Sequence, residues 1–300
     1  MVVLKRYQIW NHFDILRPRA YDQDATIRET CDWLARQEEK MKRRTFVHSV
    51  TALALTSGLQ RTDAGAQPGE RYLTLDWFRS RRDQDLARLR AFLGDSMLPA
   101  YGRCGVKPVG IFQTQIGPDN PSFLVVASYP SMAAIQETQA KLLSDEKWSK
   151  ELRAFDDKWE LAYERRESTL LRGFKTFPGI EVPQVAEGKS NLFELRIYES
   201  RNVSAHEKKI AMFDTGEISI FRRVGINPVF FGATVFGARM PNLTYLVYYP
   251  SWEARAEAWS KFGQDAEWKK MSTAPGDSDR ELVSSISNQL MAPLPFSQIR

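Results

Sequence analysis

The chain has 300 residues, of which 43% are hydrophobic, 12% aromatic and 26% charged; these proportions exclude a disordered, collagen-like or coiled-coil chain and supply enough material for two ordinary domains. No run of about 18 uninterrupted apolar residues occurs, which excludes an integral membrane protein with helical spans, and two cysteines with three histidines leave almost nothing for a disulfide framework or a multi-histidine metal site. The formal charge of +5 is diffuse: residues 67–300 carry 31 Lys and Arg against 29 Asp and Glu, interleaved as in Glu151, Arg153, Asp156, Asp157 and Lys158, so nucleic acid is not an expected partner.

Residues 1–40 are charged, could form a helix over 24–40, and read as an extension upstream of a natural start at Met41. From Met41 the three parts of an export signal follow in order. Lys42, Arg43 and Arg44 open it, Val47 to Leu59 is mildly apolar, and Ala64-Gly65-Ala66 is a small-x-small cleavage site. The pair Arg43-Arg44 before Thr45 and Phe46 resembles a twin-arginine signal. Residues 41–66 are therefore expected to direct export, to the periplasm, with mature protein beginning near Gln67. Removal of Cys31 would leave Cys104 as the only thiol, so no intramolecular disulfide could form.

Beyond residue 66 the chain repeats itself at an offset of 120 residues without a gap. Gly105 matches Gly225, Pro108 matches Pro228, and Gly117 and Pro121 match Gly237 and Pro241. Tyr129-Pro130-Ser131 matches Tyr249-Pro250-Ser251, Asp145 matches Asp265, and Trp148 matches Trp268. The expected organisation is a first domain over 67–178, a linker over 179–190 and a second domain over 191–300.

Each copy reads as strand, helix, strand, strand, helix, strand. In the second, Leu192 to Tyr198 alternates like a strand, Ser204-Ala205-His206-Glu207 reads as a capping box, and Gly225 ends the helix. Pro228 to Phe236 and Leu243 to Tyr249 form a hairpin about Gly237 to Asn242. A second helix runs from Pro250 through Trp252 and Trp259 toward Trp268, and Ser285 to Pro293 is the last strand, matched by Glu167 to Gly173. The fold class is α+β: a tandem duplication of a ferredoxin-like βαββαβ unit. One such sheet leaves an apolar face bare, so the two four-stranded antiparallel sheets are expected to face each other as an α+β barrel with helices outside.

The second copy, with FELRIY at Phe193 to Tyr198, LVYYPSWEAR at Leu246 to Arg255 and DAEWKK at Asp265 to Lys270, resembles a NIPSNAP domain. The first copy, with YPSMAA at Tyr129 to Ala134 and DEKWSK at Asp145 to Lys150, is a more divergent relative that reads LTLDWF at Leu73 to Phe78. The resemblance implies the dimeric α+β barrel fold that small monooxygenases and haem-binding chlorite dismutases and dye peroxidases share. It lends no catalytic residues, because the family has no agreed set.

Little in the chain announces a reaction. Gly94-Asp95-Ser96-Met97 mimics an esterase nucleophile block but lies within the first helix, and no Asp-x-x-His follows. His206, the only histidine beyond residue 66, would carry any haem-ligand or general-base role alone, and it sits in a helix first turn where packing explains it. Trp148 and Trp268 read as anchors of helix on sheet. Tyr-Pro-Ser places a proline at the first helical position. No phosphate loop, dinucleotide glycine pattern or metal-ligand spacing is present, so no cofactor and no metal are expected.

In the first strands, Phe193, Leu195 and Ile197 are uniformly apolar and are expected under the helices. Glu194, Arg196 and Tyr198, with Asp76 from the first copy, would then point into the space between the sheets. That lumen cluster is either a closed Asp76–Arg196–Glu194 network joining the repeats or the polar end of a ligand pocket. Two readings of function stay open: a small-molecule-binding protein, or cofactor-independent enzyme, that uses the lumen for an apolar or amphipathic ligand; and a non-catalytic interaction or scaffold module that acts through its helical exterior, with homo-oligomers open to either.

Overall fold

A computed structural model describes residues 69–81, 83–184 and 190–300. The expected extension and export signal lie outside the described residues.

Eight strands close into one antiparallel barrel. The first repeat supplies β1 (Tyr72–Arg79), β2 (Val109–Ile116), β3 (Ser122–Tyr129) and β4 (Arg165–Gly173), and the second supplies β5 (Leu192–Ser200), β6 (Asn227–Phe236), β7 (Asn242–Tyr249) and β8 (Val283–Pro293). Around the barrel the order is β4-β1-β3-β2 and then β8-β5-β7-β6, the ferredoxin-like order taken twice. The sheets do more than face each other. Two hydrogen-bonded seams join them, with Thr114 opposite Met291 where β2 meets β8, and Leu171 opposite Thr234 where β4 meets β6. Closure removes the free strand edges that a lone ferredoxin-like unit would expose.

The helices lie outside. α1 (Leu86–Ala91) and α2 (Leu98–Arg103) flank a π-helical segment at Phe92–Met97; α3 (Met132–Ser144) and α4 (Glu146–Asp156) complete the first repeat. In the second, α5 (Val203–Met212) and α6 (Ile218–Val224) flank a π segment at Phe213–Glu217, and α7 (Trp252–Gln264), α8 (Ala266–Ser272) and the short α9 (Asp279–Leu282) follow. Each π segment lets one extra residue bulge from the ladder, which re-aims the side chains after it.

Matched caps set the helix starts. The Ser131 and Ser251 hydroxyls accept from the amides of Ala134 and Ala254, and the Asp145 and Asp265 carboxylates accept from those of Trp148 and Trp268. Asp145 and Asp265 therefore divide what reads in sequence as one long helix. The serine of Tyr-Pro-Ser is the cap, so the proline stands one residue before it and not at the first helical position. Likewise Asn202, not Ser204, caps α5, its side chain accepting from the Ala205 amide. Gly105 and Gly225 end their helices at φ of +83° and +90°, the left-handed conformation that a Cβ disfavours.

The barrel interior is a packed apolar core to which all eight strands contribute. Leu75, Trp77, Phe112, Phe193, Leu195, Phe230 and Met291 meet there, each at most 5% exposed. Two further cores lie between sheet and helices, one per repeat. After β4 and after β8 the chain crosses to the other repeat and docks along its edge. The Phe174 amide donates to Phe231 and the Glu181 amide to Val229; at the matching places the Leu294 amide donates to Ile111 and the Gln298 amide to Val109. Phe174 and Phe177 consequently belong to the second repeat's core and Leu294 to the first's. The boundary expected at residue 178 falls inside one of these exchanged arms.

Candidate functional site

The strand-face assignment drawn from alternation is reversed in the structure. Phe193 and Leu195 point into the lumen with Leu73 and Leu75, whereas Glu194, Arg196 and Tyr198 lie on the outer face beneath α5 to α7. The expected cluster therefore does not form in the lumen, where apolar side chains surround Phe193 and Leu195, and other polar residues, Arg79, Glu167 and Gln289 among them, line a cavity of about 250 Å³. Asp76 also faces outward, but under the first repeat's helices, where Arg166 and Ser168 bond it and Arg196 does not. Polarity explains the reversal: the outer face draws Arg255 and Trp259 from the helix above as donors for Glu194, whereas the lumen around Phe193 and Leu195 is packed with apolar side chains.

In the second repeat the polar residues bond one another, with Arg196 Nε buried and without a partner among the described residues. Glu194 is fully buried and accepts from six donors. Arg255 reaches down from α7 with Nε and Nη2, each at 2.8 Å; Arg196 Nη1 lies at 2.8 Å, Asn288 Nδ2 at 2.9 Å, Trp259 Nε1 at 3.1 Å and the Tyr249 hydroxyl at 3.4 Å. Burial alone would raise the Glu194 pKa, but the Arg255 hydrogen bonds, the Arg196 charge and Asn288 bring it down to about 2. Arg196 also donates to the Tyr198 hydroxyl at 3.3 Å and stacks 4.5 Å from the Trp259 ring centroid.

The π segment adds a second closed group by swinging Glu217 against Lys209. The Lys209 ammonium, with no exposed surface, lies 3.0 Å from Glu217 and 2.9 Å from Asp279. Burial would lower its pKa, and the two carboxylates more than reverse that, so the ammonium stays charged.

The same location in the first repeat is open. Between β1, β3 and β4 and the overlying helices lies a cleft of about 580 Å³, within the range of small-ligand sites. The offset of 120 shows why it is not filled. Thr74 stands where the second repeat has Glu194, Ile135 where it has Arg255, and Gln139 where it has Trp259, and all three line the cleft.

The inner end of the cleft is polar. Asp76 Oδ1 accepts from Arg166 Nη2 at 3.1 Å and from the Ser168 hydroxyl, while Oδ2 has no donor among the described residues and the side chain is 9% exposed. Tyr101 and Tyr129, exposed by 8% and 4%, line the same end. Burial, reinforced by the Asp76 charge, pushes the Tyr101 phenol far above its ordinary range and takes Tyr129 up to about 12, so both hydroxyls stay protonated and can donate. Toward the mouth the walls turn apolar, with Trp148, Leu142 and Leu170, then the exposed Leu143 and Phe236. Phe236 comes from β6, across the seam, so both repeats shape the entrance.

Of the four residues singled out in sequence, only Asp76 reaches this cleft. Tyr101, Tyr129, Arg166 and Ser168, which join it there, are not marked as site residues by the sequence. Tyr129 had a signal, as part of the repeated Tyr-Pro-Ser, and Arg166 and Ser168 follow only once β4 is registered against β1, where Asp76 pairs with Ser168. Trp148 both packs on Phe92, centroids 5.5 Å apart, and lines the cleft. The Gly94 to Met97 block lies in the π segment, and of it only Met97 reaches the cleft. His206 is elsewhere, its Nδ1 3.4 Å from the Ser200 hydroxyl. No group of three or more His, Cys, Asp or Glu able to hold a metal occurs among the described residues, and no helix among them is long and apolar enough to cross a membrane.

Comparison with known proteins places the fold and the family. Among solved structures, a proposed monooxygenase from Lactobacillus acidophilus aligns with a TM-score of 0.52 at 8% identity, covering 74% of this chain and 93% of its own. Another proposed monooxygenase, from Fusobacterium nucleatum, gives 0.51 at 10% identity, covering 75% and 92%. A NIPSNAP family protein from Agrobacterium tumefaciens is 22% identical with a TM-score of 0.34, and its whole length covers 40% of this chain. No curated protein matches. The NIPSNAP family profile matches twice, over residues 84–176 and 193–298, once in each half of the barrel; the chain belongs to the NIPSNAP family and carries two NIPSNAP repeats in tandem.

Proposed function

We propose that this protein binds one amphipathic small molecule per chain, between the sheet and the helices of its first repeat. The polar end of the ligand meets Asp76, Tyr101 and Tyr129, and its apolar body runs along Trp148 and Leu142 to Leu143 and Phe236 at the mouth. The observation that carries this reading is the asymmetry between the repeats: Arg255 and Trp259 fill the second site from above while Ile135 and Gln139 leave the first one open. Exposed apolar side chains at the rim of a cleft with a polar end are what an amphipathic ligand requires, and they otherwise cost solubility.

The test is to transplant the filling. Thr74→Glu, Ile135→Arg and Gln139→Trp together give the first repeat the second repeat's contacts. Native mass spectrometry of protein purified from its own host should show a bound small mass in the wild type and none in the triple variant. Equal retention by a folded triple variant would reject the site.

We also infer that the chain is exported by the signal from Met41 to Ala66. What supports this is the order of basic, apolar and small-residue segments, ahead of a fold whose first strand begins at Tyr72.

A further inference from the structure

The first-repeat cleft has a polar end of unusual charge balance, and that balance selects the head group. This inference rests on the cleft being the ligand site. One carboxylate, Asp76, faces one guanidinium, Arg166, at 3.1 Å, so the inner end is neutral as a unit. The hydrogen-bonding atoms beside this pair include an acceptor, Asp76 Oδ2, and three hydroxyls that both donate and accept, on Thr74, Tyr101 and Tyr129. Tyr129 shares the outer sheet face with Thr74 and Asp76: it pairs with Tyr72 across β1 and β3, and residues 72, 74 and 76 point the same way.

We propose that the cleft recognises a neutral hydroxyl head, an alcohol or phenol on an apolar body, and discriminates against both carboxylates and amines. A hydroxyl uses both sides of the site at once, donating its proton to Asp76 Oδ2 while its oxygen accepts from a tyrosine. A carboxylate would set a second negative charge beside Asp76 with no proton to offer it. An ammonium would satisfy Asp76 but compete with Arg166 for it. Each charged head would have to give up its hydration in a half-enclosed space without a free counter-charge, so rejection comes from repulsion as much as acceptance comes from fit.

Three probes with one tail separate these cases: 4-octylphenol, 4-octylbenzoate and 4-octylbenzylamine, titrated calorimetrically at pH 7 into the full chain. The phenol should bind about tenfold or more tightly than either charged probe, a gap that corresponds to about 1.4 kcal/mol. Asp76→Asn leaves Arg166 without its carboxylate and should raise benzoate affinity above that of the phenol. Arg166→Gln frees Asp76 and should do the same for benzylamine. If the benzoate binds the wild type as well as the phenol does, the head-group inference is overturned, while the cleft stands provided that Gln139→Trp weakens both. If Gln139→Trp weakens none of the three probes, the cleft itself is wrong. Should either charge variant fail to fold, the wild-type ranking of the three heads decides alone.

Discussion

Arg255 holds Glu194 with two hydrogen bonds of 2.8 Å, and the residue at the position matching Arg255 in the first repeat, Ile135, faces Thr74 across an open cleft. These positions, with Gln139 where the second repeat has Trp259, separate a filled polar core from a cavity. Glu194 is the hub of the filled side, and its loss should be felt throughout the second repeat. Glu194→Gln removes the charge that two guanidiniums share and should destabilise the protein by about 3–5 kcal/mol, measured by urea unfolding at pH 7.

The same carboxylate makes stability acid-sensitive. Its pKa is about 2 in the folded protein against 4.5 ordinarily. A depressed carboxylate contributes stability that is complete above the unfolded value and is lost as pH falls through the folded one. About 3 kcal/mol should therefore disappear between pH ~4.5 and ~2. Unfolding free energies measured across that window should drop less steeply in Glu194→Gln than in the wild type; parallel curves would show that Glu194 is not the group responsible.

Gly105 and Gly225 occupy matched left-handed helix ends with room around them: a Cβ at Gly105 would have no neighbour within 4 Å, and one at Gly225 would touch only Ala258, at 3.9 Å. Alanine at either site should therefore cost backbone strain alone, about 1 kcal/mol each. Thermal melts of the two single variants should shift by similar amounts, and an unshifted Gly225→Ala would count against the αL cap.

Gly173 is different. A Cβ there would overlap the backbone carbonyl of Pro178, in the arm that crosses to the second repeat, and a backbone group cannot swing aside as a side chain can. Gly173→Ala should cost about 2–4 kcal/mol, more than either helix-end substitution. A chemical denaturation series that ranks Gly173→Ala as the mildest of the three would mean the arm adjusts freely.

Protein recovered from the native host should begin near Gln67. Edman sequencing that instead finds residues upstream of Met41 would remove the export proposal.

Local rules carried the reading of this chain a long way. The repeat at 120 residues, the alternating strands and the helix-ending glycines follow from short-range chemistry, and two βαββαβ units with apolar sheet faces lead directly to a barrel; the caps at Ser131, Ser251, Asp145 and Asp265, which shift one helix start and divide another helix, are set in the structure. Alternation, however, divides a strand into two faces without saying what covers each one. Glu194 and Arg196 went outward because Arg255, Trp259 and Asn288, distant in sequence, wait there as partners, and only packing the helices on the sheet brings them together. The π segments that deliver Met97 and Glu217 carry no sequence mark. The cleft depends on Thr74, Ile135 and Gln139 being small, apolar or short where their counterparts are long and polar, a difference spread over two elements. Side chains from separate elements must converge before space between them is either filled or left open, and that convergence is a property of the tertiary structure.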